Sequence, residues 1–290
     1  MNRAHSDLTS DVCLGCTPVM RERDAAAALG VSRRKVLALI ADGAIERLRR
    51  GVVVGACTAE RAAADRQLAH SIALQALLLT FAECHASHES AADALDLPVL
   101  DLPPYAIATR EQGGWRGGIA SRVRIAPLPP HHVTTAQGLR CTTAARTAID
   151  IARSGTFRQA VVVGDAVLRN HCDRTTLSTV LGECSAWADV GKARLVLGFL
   201  DARSESALES VSRVIIHERE LPPPEPQVVI NVGQATSYRL DFYWKKQRVV
   251  GEADGMLKYD ETIARLRWAL FHSSSPWLPK TARHAVEVAT

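Results

Sequence analysis

The chain has no long apolar run, no strong net charge and no paired cysteine pattern, and each absence removes a class of protein. The longest apolar stretch, Ile72 to Cys84, falls short of the roughly 20 residues that a membrane-spanning helix needs. The N-terminus lacks the apolar segment of a signal peptide. The expectation is a cytoplasmic protein with no membrane partner. Seven cysteines, an odd number scattered over 290 residues, argue against a secreted disulfide framework and for a reducing compartment. Cys13 and Cys16 form a lone Cys-x-x-Cys with no second pair or nearby histidine, which argues against structural zinc. His85 with His88, and His131 with His132, lack acidic or thiol partners at ligand spacing and read as turn residues.

What charge there is sits unevenly. The whole chain carries a formal +4. The segment from Met20 to Arg50 holds eight Arg/Lys against four acids, so it alone accounts for that excess. A local basic patch is the electrostatic footprint of a polyanion partner. Residues 1–19 show no periodicity and read as a flexible tail. From Glu22 the pattern is helical: Ala25 to Leu29 form a helix stopped at Gly30, and Ser32 is suited to cap a second. Val36, Leu37, Leu39 and Ile40 make its expected apolar stripe. Gly43 ends it, and "AIERLRRGVVVG" alternates like a short hairpin turning at Gly51.

Helix, tight turn, helix and basic hairpin over 20–58 outline a winged helix-turn-helix. Arg33, Arg34 and Lys35 fall in the first turn of the second helix, the end that enters a major groove. Arg47, Arg49 and Arg50 lie on the wing, where phosphates or a minor groove are contacted. DNA is the expected partner; the alternative is a small helical domain for protein contacts whose charges are merely solvated. Residues 59–202 read as a mainly helical connector with an irregular Pro/Gly-containing stretch at Leu97 to Pro130. "TTAARTAIDIARSG" there pairs Arg146 with Asp150 at i,i+4, and no chemistry is visible.

The last region, 203–290, is different. A helix with Leu208, Val211, Val214 and Ile215 on its buried stripe carries Glu205 and Glu209 on a neighbouring one. A strand over Gln227 to Val232 follows, then "YRLDFYWKKQRVVGEADGMLKY". With a period of two, Asp241 lies opposite the face of Leu240 and Phe242, while Val250, Glu252 and Asp254 share one face. Two or three carboxylates converging from a helix and a hairpin can hold a hard divalent cation for phosphodiester hydrolysis. The plain alternative is surface charge.

The residues "SALESVSR", "LPPPEPQ" and "YRLDFYWKKQRVVGEADGMLKYD" resemble the very-short-patch-repair-like branch of the PD-(D/E)xK, restriction-endonuclease-like nucleases, a domain-of-unknown-function family found in actinobacteria. The N-terminal "LGVSRRKVLALIADGAIERLRRGVVV" resembles the winged helix of type IV abortive-infection antitoxins, and "TTAARTAIDIAR" resembles the connector. The fold class implied is α/β and multi-domain: winged helix, helical middle, nuclease-like core. The resemblance makes Glu209 the helix acid and Asp241 and Glu252 the ligands of Mg²⁺ or Mn²⁺. Asp254 stands where the family pattern has a lysine; it can bind metal or position water but supplies no positive charge. Lys258, one helical turn on, is the residue that would stabilise phosphate charge, and Gln227 would polarise the site. After "DGMLKYD" the tail "WALFHSSSPWLPKTARHAVEVAT" departs from the family pattern, which implies a core incomplete at its C-terminal edge. The function implied is a metal-dependent DNA endonuclease. The alternative is a DNA-binding regulator, antitoxin-like and with a cognate toxin, whose nuclease fold is inactive.

Overall fold

The computed structural model describes residues 17–113, 120–232 and 236–253. They form a mixed α/β chain of ten helices and three sheets. Among the described residues no helix is long and apolar enough to cross a membrane. The chain divides into two compact units. One comprises the described residues of Met1–Leu95 and Leu102–Thr143, the other those of Asp96–Asp101 and Ala144–Thr290.

The first unit begins with β1 (Met20–Arg21), α1 (Glu22–Ala28), α2 (Arg33–Ala41), β2 (Ile45–Arg49) and β3 (Val52–Gly55). Gly30, at φ 64°, lets the chain turn between the two helices, a conformation that costs glycine little. Ser32 caps α2, its hydroxyl accepting from the Lys35 N–H at 3.2 Å. The three strands form one antiparallel sheet in the order β1-β3-β2. Ala25, Val36, Leu39, Ile45 and Val53 make its core. Leu37, expected on the apolar stripe of α2, is instead 48% exposed: it lies one helical position, about 100°, from buried Val36.

Helices α3 (Ala56–Ala64) and α4 (Arg66–Thr80) follow, and the Asp65 carboxylate caps α4 by accepting from the N–H groups of Gln67 and Leu68. Residues 59–202, expected to be mainly helical, hold a sheet as well as helices. After α4 come β4 (His85–Ala86), α5 (His88–Ala94), β5 (Ala106–Arg110), β6 (Ser121–Ile125), β7 (Val133–Ala136) and β8 (Leu139–Thr142). They form a five-stranded sheet, β6-β5-β4-β8-β7, with parallel β5–β6 and β4–β8 pairs. These strands are short, and the stretch read as irregular contains two of them. A strand of five residues buried throughout, as β5 is, has no alternation to display. Leu74, Leu77 and Leu78 of α4 pack on this sheet with Ala86, Ala106, Ala108 and Val123. Helix α4 also packs on β2 and β3, so the first unit runs on through residue 58. His88 and His132, read as turn residues, are buried, at 4% and 2% exposure.

The second unit contains α6 (Ala144–Ser154), α7 (Phe157–Asn170), α8 (Arg174–Glu183) and α9 (Val190–Phe199), then α10 (Ala207–Glu218). Strands β9 (Glu225–Val232), β10 (Thr236–Trp244) and β11 (Val249–Gly251) complete it as an antiparallel sheet, β11-β10-β9. Arg146 and Asp150 form the expected i,i+4 pair, Nε to Oδ2 at 2.9 Å, both side chains being almost fully buried. Helix α10 lies against α7. There Asp165 of α7, with no exposed surface, accepts from Ser210 Oγ and Arg213 Nη1, each at 2.8 Å, and from the Asp201 N–H at 2.7 Å. On the sheet side, Ile216 of α10 packs with Phe242 and Trp244. Leu240, Tyr243 and Val250 cluster with Ile230. Strand β10 therefore has apolar partners in two separate clusters, and the half-buried Asp241 sits within it.

Candidate functional site

Helix α10 opens with Ser206-Ala207-Leu208-Glu209, the Ser-x-x-Glu spacing of a reciprocal N-terminal cap. The Ser206 Oγ accepts from the Glu209 N–H at 3.1 Å and donates to Glu209 Oε1 at 2.8 Å. The Glu205 N–H donates to Glu209 Oε2 at 3.0 Å. The cap turns Glu209 back over the helix start, and the side chain is only 5% exposed. Glu205, by contrast, forms a two-point ion pair with Arg239 of β10 at 2.8 Å on each side. This pair ties the helix start to the strand that carries Asp241.

Gln227 links the two acids. Its Nε2 donates to Glu209 Oε2 at 2.8 Å and to Asp241 Oδ1 at 3.3 Å. Two carboxylates on different elements therefore lie within reach of one nitrogen. Gln227 adopts φ 56° inside β9, a left-handed conformation that costs a non-glycine residue about 1 kcal/mol or more. Its Oε1 is buried without a hydrogen-bond partner among the described residues. The other oxygen of Asp241, Oδ2, accepts from the Ala253 N–H at 2.7 Å. The β10–β11 ladder ends at the Phe242–Gly251 pair, and this bond secures the chain just beyond it. Glu252 follows directly after β11, half-buried and one residue beyond the paired ladder. Asp254, Lys258 and the tail beyond them lie outside the described residues.

The donor types suit a hard divalent cation, although Glu209, Asp241 and Glu252 do not bring their carboxylate oxygens within 4.8 Å of one another as a group. The donors are carboxylate oxygens and an amide oxygen that has no donor of its own, the ligand types that Mg²⁺ and Mn²⁺ take. A cleft of about 290 Å³ is lined by Arg169, Asn170, His171 and Ser206 among others, and Ser206 is also the residue that caps α10 at Glu209.

A second candidate surface lies in the first unit. Arg33, Arg34, Lys35 and Arg50 are exposed. Arg33 and Arg50 join Arg21 and Arg23 around an open groove of about 560 Å³. The three hairpin arginines part company here. Arg50 faces the groove, while Arg47 is exposed but held by Glu22, its Nε and Nη2 both donating to Oε2 at 3.1 and 3.0 Å. Arg49 turns inward, donating to Ser121 Oγ and standing over the Phe81 ring at 5.8 Å. Burial depresses its pKa, with nearby Cys84 opposing. Arg49 is thus a packing residue of the first unit, which corrects the expectation that it faces a nucleic acid.

Sequence reasoning named Glu209, Asp241 and Glu252 but missed the cap at Ser206, for which Ser-x-x-Glu was the available signal. It also missed Arg21 and Arg23, which local pattern does not single out because their place in the groove depends on β1 pairing with β3.

No protein-family model matches the chain. Two proteins of Mycobacterium tuberculosis, uncharacterized protein Rv2248 of strain H37Rv and uncharacterized protein MT2308 of strain CDC 1551, are each 32% identical to it over 120 residues. The matched stretch is 41% of this chain, and the chain spans 44% of the length of these curated relatives. The crystal structure of RV2827C protein from Mycobacterium tuberculosis is similar over 67% of this chain and 76% of that one, at 15% identity and a TM-score of 0.42.

Proposed function

We propose that the protein is a divalent-metal-dependent DNA nuclease whose acidic site is Glu209, Asp241 and Glu252, with Asp254 completing it and Lys258 supplying positive charge. The observation that carries this reading is the single amide nitrogen of Gln227 reaching carboxylates from α10 and β10. Two acids from separate elements are unfavourable neighbours unless something positive or hydrogen-donating is shared between them. In this reading Asp241 and Glu252 hold Mg²⁺ or Mn²⁺, and Glu209 is the helix acid beside them. The bound cation would polarise the phosphodiester and lower the pKa of water.

The rest is the work of the chain's own side chains. Ser206 and the Glu205 N–H hold Glu209 in one rotamer, and the Ala253 N–H fixes Asp241. Arg169, Asn170 and His171 stand in the adjoining cleft, where a nucleotide next to the scissile bond would lie. The helix-turn-helix and hairpin of residues 20–58 act as a winged helix that docks duplex DNA through Arg33, Arg34, Lys35 and Arg50. Cleavage of plasmid DNA with Mg²⁺ tests the reading. The wild type is expected to cut and Asp241→Ala to lose at least about 100-fold in rate, as a removed transition-state stabiliser does; equal cutting by both rejects it.

A second reading is a DNA-binding regulator of antitoxin type, with a toxin partner and a catalytically silent α/β unit. What favours it is that Glu209 accepts three hydrogen bonds from its own cap and Gln227, a structural role sufficient in itself. No metal-dependent cutting, together with salt-sensitive duplex binding, selects this reading.

A further inference from the structure

Three features meet in one side chain. Gln227 bridges the two acids through Nε2, leaves Oε1 buried without a partner, and holds a positive φ in a strand. A purely structural glutamine would satisfy both ends of its amide, because a buried acceptor left alone costs about 1–3 kcal/mol. Here the donor end is fully used and the acceptor end is idle. The amide orientation follows from the neighbours: two carboxylate oxygens require N–H donors, so Nε2 faces them.

We propose that Gln227 is a switchable third ligand of the site, resting on the metal-dependent reading above. Without a cation its Nε2 holds Glu209 and Asp241 together and offsets their mutual repulsion. With a cation held by Asp241 and Glu252 beside Glu209, donors are no longer needed there. Half a turn about the terminal side-chain bond replaces Nε2 by Oε1, an oxygen of the amide type that ligates hard cations. The same turn gives Oε1 a partner and moves Nε2 to the position that Oε1 leaves. The left-handed backbone at Gln227 is the local conformation that aims the side chain at both acids from β9. Gln227 in this role is a positioning residue: it spaces the carboxylates before the cation arrives and contributes an oxygen afterwards.

The test measures cation affinity rather than cleavage. Thermal unfolding of the full chain is followed against MgCl₂ and MnCl₂ for wild type, Gln227→Glu, Gln227→Leu and Asp241→Asn. Gln227→Glu places a fixed anionic oxygen where the amide stood. It is expected to melt lower than wild type in chelator and to bind Mn²⁺ about tenfold more tightly, since affinity follows the charge and number of oxygen ligands. Gln227→Leu fills the space without a ligand and is expected to weaken the apparent affinity about tenfold. Asp241→Asn is expected to abolish the metal-induced shift. If the wild type shifts through Asp241 but Gln227→Glu binds Mn²⁺ with unchanged or weaker affinity, the inference is overturned and the metal site stands. If neither the wild type nor Gln227→Glu shifts with either metal, the metal-dependent reading fails and takes the inference with it. Should Gln227→Leu not fold, the comparison of wild type with Gln227→Glu decides alone.

Discussion

The basic face of the first unit and the acidic site of the second are both clusters of like charge, yet they are built in opposite ways. Arg33, Arg34, Lys35 and Arg50 stand in solvent, and no hydrogen bond from their side chains to another described residue is needed to hold them. Glu209 and Asp241 are each fastened by donors from other elements. Exposed like charges cost little to fold because water and salt screen them. Buried or half-buried ones require partners. The first cluster is therefore left to solvent, while the second is already part of the architecture. Arg49 marks the border between the two designs. It belongs by sequence to the basic hairpin, but its guanidinium is drawn into the packing by Ser121 and Phe81.

Substitutions can break this contrast. The largest stability loss is expected at Asp165→Ala, which removes the fully buried carboxylate and strips the half-buried Arg213 of its partner. Removing one member of a buried pair costs about 3–5 kcal/mol, to be read from urea unfolding, and α10 with Glu209 should loosen with it. A smaller loss, on the order of 1 kcal/mol for a hydrogen bond and its packing, is expected for Arg49→Ala. Arg50→Ala, one residue on, should leave the unfolding midpoint unchanged; equal midpoints for the two variants would mean that Arg49 packs no more than Arg50 does. Arg34→Ala is expected to leave stability alone and to lower the slope of log K against log[salt] for duplex DNA by about 1, the value of one lost phosphate contact. An unchanged slope removes Arg34 from the interface. The smallest effect concerns Cys84, whose thiol is pushed up to about 11 by burial and then by neighbouring Glu83, against the opposing pull of Arg110, Arg140 and Arg49. At pH 8 it should resist alkylation in the folded protein and react only on unfolding, as mass spectrometry of the labelled peptide would report.

Particular residues show how far the pattern could be read. Ser32 before Arg33 and Gly51 between two alternating runs are local signals, and the cap and the turn formed where they stood. The helix of Glu209 and the hairpin of Asp241 were legible as elements, since periods of 3.6 and 2 are properties of neighbouring residues. Of the stripe expected to be buried on that helix, however, only Val214 is; Glu209, Ser210, Ser212 and Ile216 are buried with it. The sheet of β4 to β8 was not, because a two-residue strand such as His85–Ala86 exists only through its partners on either side. Leu37 was misplaced because one step around a helix separates a buried residue from an exposed one.

By itself the sequence determined which residue types are present and which local elements they favour: caps, turns, amphipathic helices, and acids on alternating strand positions. Tertiary structure alone decided that the Gln227 amide lies between Glu209 and Asp241, that Arg49 faces inward while Arg50 faces out, and that Arg21 and Arg23 join Arg33 around one groove. The Gln227 and Arg49 outcomes depend on hydrogen bonds between residues 14, 18 and 72 positions apart. Such contacts form only when separate elements pack, so no window of sequence contains the forces that select them.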